Sequence, residues 1–151
     1  MFGVVDGTLY ITANPNLVPT AIIIGAFLVP VTFVLYLYEH MKHMEIPLPS
    51  LAMTFLFGGA IAIVVAALLE WQTIRSLNLI SLLGVGLVEE SAKLLFPIFI
   101  YLRGRYRHEA DGLLFGFASG MGFATLETMG YSLTALIQSN GNVSALYGTL
   151  L

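Results

Sequence analysis

The chain has 151 residues, of which 58% are hydrophobic and only 10% are charged, with a formal net charge of −3 and a mean hydropathy of +0.88. A soluble domain carries about 25% charged residues, so this composition excludes a globular protein with a water-facing surface. The absence of cysteine excludes disulfides, thiolate metal sites and a cysteine nucleophile, and the scarcity of basic residues predicts no nucleic-acid partner.

Four apolar stretches predict an all-α fold, namely a polytopic integral membrane protein with about four transmembrane helices in contact with lipid. A helix needs about 20 apolar residues to cross a hydrocarbon core about 30 Å thick, and each stretch is long enough. No change of composition marks a domain boundary, so residues 1–151 are expected to form a single membrane domain. The predicted spans are residues 17–38, 51–69, 77–100 and 112–137.

The segments in and around the first two spans give three further predictions. Alternating apolar residues at 4–11 predict a strand-like or interfacial segment ahead of the first span. Gly58 and Gly59 in the second span are expected to let another helix approach closely. After that span, Glu70–Ser76 are expected to form a short charged connection.

Basic residues are distributed unevenly among the predicted loops. Lys42, Arg103, Arg105 and Arg107 lie in the first and third loops, whereas the second loop has only Arg75. Because cytoplasmic loops are enriched in Lys and Arg, the first and third loops are predicted to be cytoplasmic. Both termini are then expected on the extracytoplasmic side.

The third predicted span contains three ionisable residues, Glu89, Glu90 and Lys93. An ionised side chain at the bilayer centre costs about 2.5–3.5 kcal/mol on insertion scales, so such residues are candidates for function. Lys93 lies four residues after Glu89 and three after Glu90, and on a helix it can reach either carboxylate. The alternative to a functional role is a buried salt bridge that only fixes helix packing.

Two adjacent carboxylates in an apolar environment repel each other, and burial favours their neutral forms. One of Glu89 and Glu90 is therefore expected to hold its proton more tightly than a free glutamate. This division suits general acid–base catalysis, in which one carboxylate takes a proton from water and its neighbour returns one. Lys93 is expected to hold the second charge in place or to stabilise an oxyanion.

The fourth predicted span adds a third carboxylate, Glu127, to a strip of small residues. Gly112, Gly116 and Gly120 repeat every four residues, and the last two lie within about 20° of Glu127 on a helical wheel. Strips of this kind let two helices approach closely in a membrane. The glycines themselves are interpreted as packing residues.

The expected neighbour of this glycine strip is the third span, with Gly84 and Gly86 as the facing surface. This packing is predicted to bring Glu127 close to Glu89 and Glu90.

Two residues are expected to shape the ends and the backbone of these helices. Asp111 is predicted to be the N-cap of the fourth span, where a carboxylate also complements the helix dipole. Pro97 lacks an N–H group, so it leaves the carbonyl of Lys93 without its helical partner. The backbone just after the charged motif is therefore expected to be kinked or polar.

The order and spacing of these motifs resemble the PrsW family of intramembrane proteases, distant relatives of the CAAX-processing and bacteriocin-immunity (Abi) membrane proteins. The matching region covers about residues 84–131. It consists of Glu89-Glu90-x-x-Lys93, then Asp111-Gly112, then Gly116-x-x-x-Gly120-x-Gly122-Phe123-Ala124-x-x-Glu127.

The resemblance implies a polytopic protease of a prokaryotic cytoplasmic membrane. Its implied substrates are membrane-embedded or membrane-proximal proteins, such as an anti-sigma factor. It assigns the paired glutamates of the family to Glu89 and Glu90, and the later glutamate to Glu127. With Lys93, these form the expected catalytic set.

The sequence departs from the family pattern at two places. A threonine, Thr128, follows Glu127 where the family has asparagine. The family also has a further helix with a functional histidine, whereas this sequence has no histidine between His108 and Leu151. The resemblance therefore predicts either a truncated chain or a lost catalytic element, with further helices or a homo-oligomer completing the assembly.

Cofactor use is left open between no cofactor and a divalent metal. Three glutamates without cysteine or an intramembrane histidine are a poor zinc site by ligand preference, and would suit a hard cation or no metal. A histidine from the further helix would make a mixed Glu/His site.

The leading hypothesis is peptide-bond hydrolysis inside the membrane. In it, Glu89 or Glu90 activates water, the other carboxylate and Glu127 hold or protonate reacting groups, and Lys93 tunes their charge. The alternative is a non-enzymatic membrane protein whose carboxylates bind a cation or a proton, or hold a helical scaffold together.

Overall fold

A computed structural model describes residues 2–12, 14–41, 46–77, 82–104, 106 and 108–150. These residues form helices and no strands, which confirms the predicted all-α fold. Lys42, His43, Arg105, Arg107 and residues 78–81 of the predicted third span lie outside the described residues. The α-helices are α1 (Phe2–Thr12), α2 (Val18–His40), α3 (Leu48–Met53), α4 (Gly59–Leu77), α5 (Leu82–Leu102), α6 (Glu109–Gln138) and α7 (Tyr147–Leu150).

Three short helical turns connect some of these helices. Pro15–Leu17 and Val143–Leu146 are 3₁₀ turns that precede α2 and α7, and Thr54–Gly58 is a π-helical turn between α3 and α4. Helical structure therefore continues from α3 through α4.

Within the described residues, the helical stretches Pro15–His40 and Leu48–Trp71 are long and apolar enough to cross a membrane. They contain the first two predicted spans. Many large apolar side chains on them point outward, among them Val29 at 70% exposure and Val64 at 57%. A surface of this kind is stable in hydrocarbon and would aggregate in water.

The strand-like alternative for residues 4–11 and the predicted connection Glu70–Ser76 are wrong, because both segments are helical. The strand-like segment at 4–11 is the helix α1, because Val5 and Leu9 are also spaced to share one helical face and both pack in a core cluster. The predicted connection Glu70–Ser76 is the helical end of α4. It contains no Gly or Pro that would end a helix.

α6 begins at Glu109, so Asp111 lies inside its first turn and is not the N-cap residue as predicted. The carboxylate of Asp111 instead reaches back and accepts a hydrogen bond from the backbone N–H of His108 at 3.2 Å. This is the reciprocal half of a capping box. Asp111 therefore does satisfy the helix start, but from the third helical position.

The chain forms two compact units, and α2 and α6 contribute to both. The first unit comprises Met1–Phe33 and Thr125–Leu151. Its core combines Leu9 of α1 with the beginning of α2 and Leu146 near the C-terminus. The buried hydroxyl of Ser132 on α6 lies 3.0 Å from that of Thr149 on α7.

The second unit comprises Val34–Ala124 and contains α3, α4 and α5 with adjoining parts of α2 and α6. Its core includes a cluster of Ala62, Ala66, Ala92 and Phe123 from α4, α5 and α6. Small residues on α4 and α5 allow these helices to surround the ring of Phe123. Tyr38, near the end of α2, is linked to Ile46, just before α3: its hydroxyl donates a hydrogen bond to the Ile46 carbonyl at 2.9 Å.

Candidate active site

α5 and α6 form an antiparallel pair in the second unit. The ring of Phe123 on α6 packs in the same cluster as Val88 and Ala92 on α5. Four residues earlier on α6, Ser119 contacts Lys93, which lies further along α5. Rising numbers on one helix thus match falling numbers on the other, and Lys93 faces α6.

Close packing in this unit involves α4, α6 and the π-helical turn. A Cβ atom built on Gly59 would overlap the backbone of Gly122, and one built on Gly122 would overlap the carbonyl of Phe55. A Cβ on Gly58 would lie 2.7 Å from the hydroxyl of Ser119. The predicted role of Gly58 and Gly59 in close helix contact is confirmed, and their partner is α6.

The predicted close packing of the Gly112, Gly116 and Gly120 strip is wrong. A Cβ atom added at any of these three positions meets no atom within 4 Å, and the same holds for Gly86, which was expected to face them. The wheel identified a smooth face, but the backbone contact of α6 is made through Gly122 instead. The strip is left open.

The open strip is part of a groove of about 500 Å³ between α5 and α6, called here the α5–α6 groove. It combines the bare backbone of the glycines with apolar walls and with one ion pair. Its lining residues are Glu90, Lys93, Leu94, Gly112, Leu113, Gly116, Phe117, Gly120 and Met121.

Lys93 pairs with Glu90, one of its two predicted partners. The ammonium nitrogen lies 2.7 Å from Glu90 Oε1, and the carboxylate side chain is 73% exposed against 19% for the lysine. The same ammonium lies 4.5 Å from the centre of the Phe123 ring, a distance at which the ring face attracts a cation. The ammonium of Lys93 is thus held over the ring of Phe123, while the carboxylate of Glu90 lines the groove and is largely exposed.

Glu89 lies on α5 next to Glu90 but is half-buried and is not part of the groove lining. Successive helical residues point about 100° apart, so the two adjacent carboxylates have different surroundings. The unequal division of roles between Glu89 and Glu90 stays a prediction.

Ser119 was not identified from the sequence. Its hydroxyl donates to the carbonyl of Lys93 at 2.7 Å, which is the carbonyl that Pro97 deprives of a helical donor. The predicted polar feature after the charged motif is therefore confirmed. The available signal was that Ser119 is the only hydroxyl residue between Gly112 and Ala124, a stretch otherwise of apolar and glycine residues.

Glu127 belongs to the first unit, where it is half-buried on α6. The hydroxyl of Tyr131, one turn later, donates to Glu127 Oε1 at 2.9 Å. Tyr131 was also missed, although the spacing of four residues on a helix was visible. The convergence of Glu127 with Glu89 and Glu90 stays a prediction.

A family model described as PrsW family intramembrane metalloprotease matches residues 46–151. This range includes Glu89, Glu90, Lys93 and Glu127. Comparison with curated proteins and with solved structures gives no match. Taken with the two apolar membrane-length helices, the family match makes the chain an integral membrane protein.

The family description implies a metal ion. Within the described part of the chain, no group of three or more His, Cys, Asp or Glu residues could hold one. Glu90 is engaged by Lys93, and Glu127 by Tyr131. Because protein zinc sites use about three or four protein ligands, the described residues do not fit a complete metal site.

Proposed function

We propose that this chain, which belongs to the PrsW family of intramembrane metalloproteases, hydrolyses peptide bonds of membrane-embedded or membrane-proximal proteins in the α5–α6 groove. The observation that carries this proposal is the position of the Glu90–Lys93 pair in a groove with an unobstructed glycine strip. A carboxylate can activate water, a cation can stabilise an oxyanion and the open strip leaves room for a polypeptide backbone, so these parts suit peptide hydrolysis.

The groove would bind the substrate as an extended segment. In a helical substrate the scissile carbonyl is hydrogen-bonded along the helix, so a local loss of helix must expose it. The glycine strip has no side chains in the way, so a second backbone can lie against it. The apolar walls of Leu94, Phe117 and Met121 suit the apolar side chains of a membrane segment.

Glu90 is the proposed general base. It removes a proton from water as the water oxygen attacks the scissile carbonyl carbon, which forms the tetrahedral intermediate. The Lys93 ammonium pairs with Glu90 beforehand, and it is released toward the developing oxyanion once Glu90 has taken the proton. Glu90 then gives the proton to the leaving nitrogen, and the C–N bond breaks into a carboxylic acid and an amine. Glu89 and Glu127 are proposed to hold or protonate reacting groups.

The test is cleavage of a single-span substrate by the purified chain in proteoliposomes. Glu90→Gln should lower kcat by about 10²–10⁴-fold, the usual contribution of a general base. Glu109→Gln is the matched control, because Glu109 is exposed at the start of α6 and outside the groove. Unchanged turnover in Glu89→Gln, Glu90→Gln and Glu127→Gln at equal folding would refute the protease proposal.

A second candidate is a non-enzymatic membrane protein that uses the carboxylates as structural or ion-binding groups. It is favoured by the local pairing of Glu90 with Lys93 and of Glu127 with Tyr131, each within one helix. In that case a cation or a change in pH should shift the Tm, the Glu→Gln variants should abolish the shift, and no substrate should be cleaved.

A further inference from the structure

The backbone carbonyl of Lys93 lacks the partner that a regular helix would give it. Pro97 occupies the position whose N–H would bond this carbonyl, and proline has none. In an apolar environment an unsatisfied carbonyl is costly, because no water is available to replace the lost donor. A donor from outside α5 is therefore needed at this point.

Ser119 supplies that donor. Its side chain is fully buried, and its hydroxyl donates to the Lys93 carbonyl at 2.7 Å across 26 residues of sequence. Hydroxyls on these helices commonly donate to the carbonyl four residues earlier, as those of Ser91, Ser132 and Thr134 do. Ser119 instead uses its hydrogen bond to link α6 to α5.

On the side facing away from Lys93, the hydroxyl of Ser119 is in close contact with the π-helical turn. It lies where a Cβ on Gly58 would come within 2.7 Å, so the π-helical turn packs directly against Ser119. Protein interiors are close-packed, and a side chain with neighbours on both sides has little freedom to move. The hydrogen bond from this hydroxyl therefore fixes the position of the Lys93 backbone along the axis of α6.

α6 holds both ends of Lys93. Ser119 binds its backbone carbonyl, and Phe123, one turn later, receives its ammonium over the ring face at 4.5 Å. The ammonium in this position also reaches Glu90 Oε1. Displacing the backbone of Lys93 would therefore displace the cation that is paired with the proposed general base.

We infer that Ser119 is a positioning residue, which acts through the carbonyl of Lys93 to set the geometry of the Glu90–Lys93 pair in the groove. This inference rests on the proposed function, since it assigns the pair a role in catalysis. Pro97 has the complementary part, because it frees the carbonyl for a bond between helices.

The test is a cycle of three variants, Ser119→Ala, Pro97→Ala and the double variant. Ser119→Ala leaves the Lys93 carbonyl unsatisfied, whereas Pro97→Ala provides an N–H four residues after it. The double variant should therefore recover the bond from within α5. We expect Ser119→Ala to lower kcat about tenfold with KM unchanged, as small misplacements of reacting groups do, and the double variant to recover most of the loss.

A spectroscopic readout separates this inference from the protease proposal. The sequence contains two lysines, Lys42 and Lys93, so Lys42→Arg with ¹³C-carbonyl lysine places one label in the chain. In isotope-edited infrared spectra the Lys93 carbonyl band should move to higher wavenumber in Ser119→Ala and return in the double variant. If no variant, wild type included, cleaves substrate while this band behaves as expected, the protease proposal fails and the bond is still established.

Ser132→Ala is the matched control, because Ser132 is also fully buried on α6 and donates to another carbonyl. It should change neither the Lys93 band nor kcat per folded molecule. A band that does not move in Ser119→Ala would overturn the inference. So would a double variant that recovers the band but not kcat, or an equal loss of kcat in Ser132→Ala.

Discussion

The glycines of α6 have opposite surroundings at different positions along the helix. Gly122 lies against the backbones of Phe55 and Gly59 so closely that neither it nor Gly59 has room for a Cβ atom. Gly116 and Gly120, six and two residues earlier, have empty space where a Cβ would lie. The same residue type thus provides contact at one place and a groove at another.

The difference shows how a membrane protein can keep a cavity open beside a tight contact. Helices in lipid gain little from burying apolar surface against each other, so close backbone packing is a major source of their association. Gly122 and Gly59 supply that packing for the second unit. Because this contact fixes α6, the groove beside Gly116 is not closed by collapse of the neighbouring helices.

Gly122→Ala should have the largest effect on stability. The new methyl group would overlap the carbonyl of Phe55, which belongs to backbone and cannot rotate away. Overpacking that forces the backbone to shift costs about 1–3 kcal/mol and occasionally more. Thermal unfolding in detergent would detect it as a large fall in Tm. Gly130→Ala is the control, since a Cβ there meets nothing within 4 Å, and an equal fall in both variants would contradict the comparison.

Gly116→Leu should have the next largest effect, and it should act on cleavage. A leucine side chain has room in the groove but occupies the space assigned to the substrate backbone. We expect the Tm to be retained and kcat/KM to fall about tenfold or more, mainly through KM, because binding is obstructed while Glu90 and Lys93 stay in place.

Gly130→Leu is the matched variant for that measurement, because Gly130 also lies on α6 with open space around it but outside the groove lining. Its kcat/KM should equal that of the wild type. Full activity of Gly116→Leu would mean that the substrate does not use the glycine strip.

The sequence was sufficient for those features that depend on local rules. Helical periodicity and apolar length predicted the all-α fold, and spacing alone predicted that Lys93 can reach Glu90. The missing N–H of Pro97 predicted an orphan carbonyl at Lys93. Each of these inferences needs only one helix and the chemistry of its own residues.

The features that the sequence did not predict depend on which elements meet. A helical wheel places Gly116 on a smooth face, but it does not say whether a neighbour covers that face. The π-helical turn at Thr54–Gly58 has no marker of its own in the sequence, yet it sets where α6 approaches. Ser119 could be recognised as the donor to α5 only once the register of the two helices was known.

Phe123→Leu should have a smaller effect. It should lower the free energy of unfolding by about 1 kcal/mol beyond the loss of ring packing, since it removes the aromatic face beneath the Lys93 ammonium. Phe123 directly follows Gly122 and packs in the core cluster of the second unit. The variant therefore tests whether the packed side of α6 also positions Lys93 in the groove. Phe115→Leu is the control, because Phe115 is equally buried but its ring contacts Tyr106. Both variants should lose stability, and only Phe123→Leu should lower kcat per folded molecule.

Gly120→Ala should have the smallest effect, and its sign should be opposite to that of Gly122→Ala. Glycine in a helix interior is about 0.8–1.0 kcal/mol less favourable than alanine, and a Cβ at position 120 meets nothing within 4 Å. The variant should therefore be as stable as the wild type or up to about 1 kcal/mol more stable, which thermal unfolding can measure. A substrate backbone that lies directly on the strip would still meet the new methyl group, so kcat/KM should fall by less than in Gly116→Leu. A loss of stability in Gly120→Ala would show that a helix does pack on the strip, and the groove would then belong to the packed surface of α6.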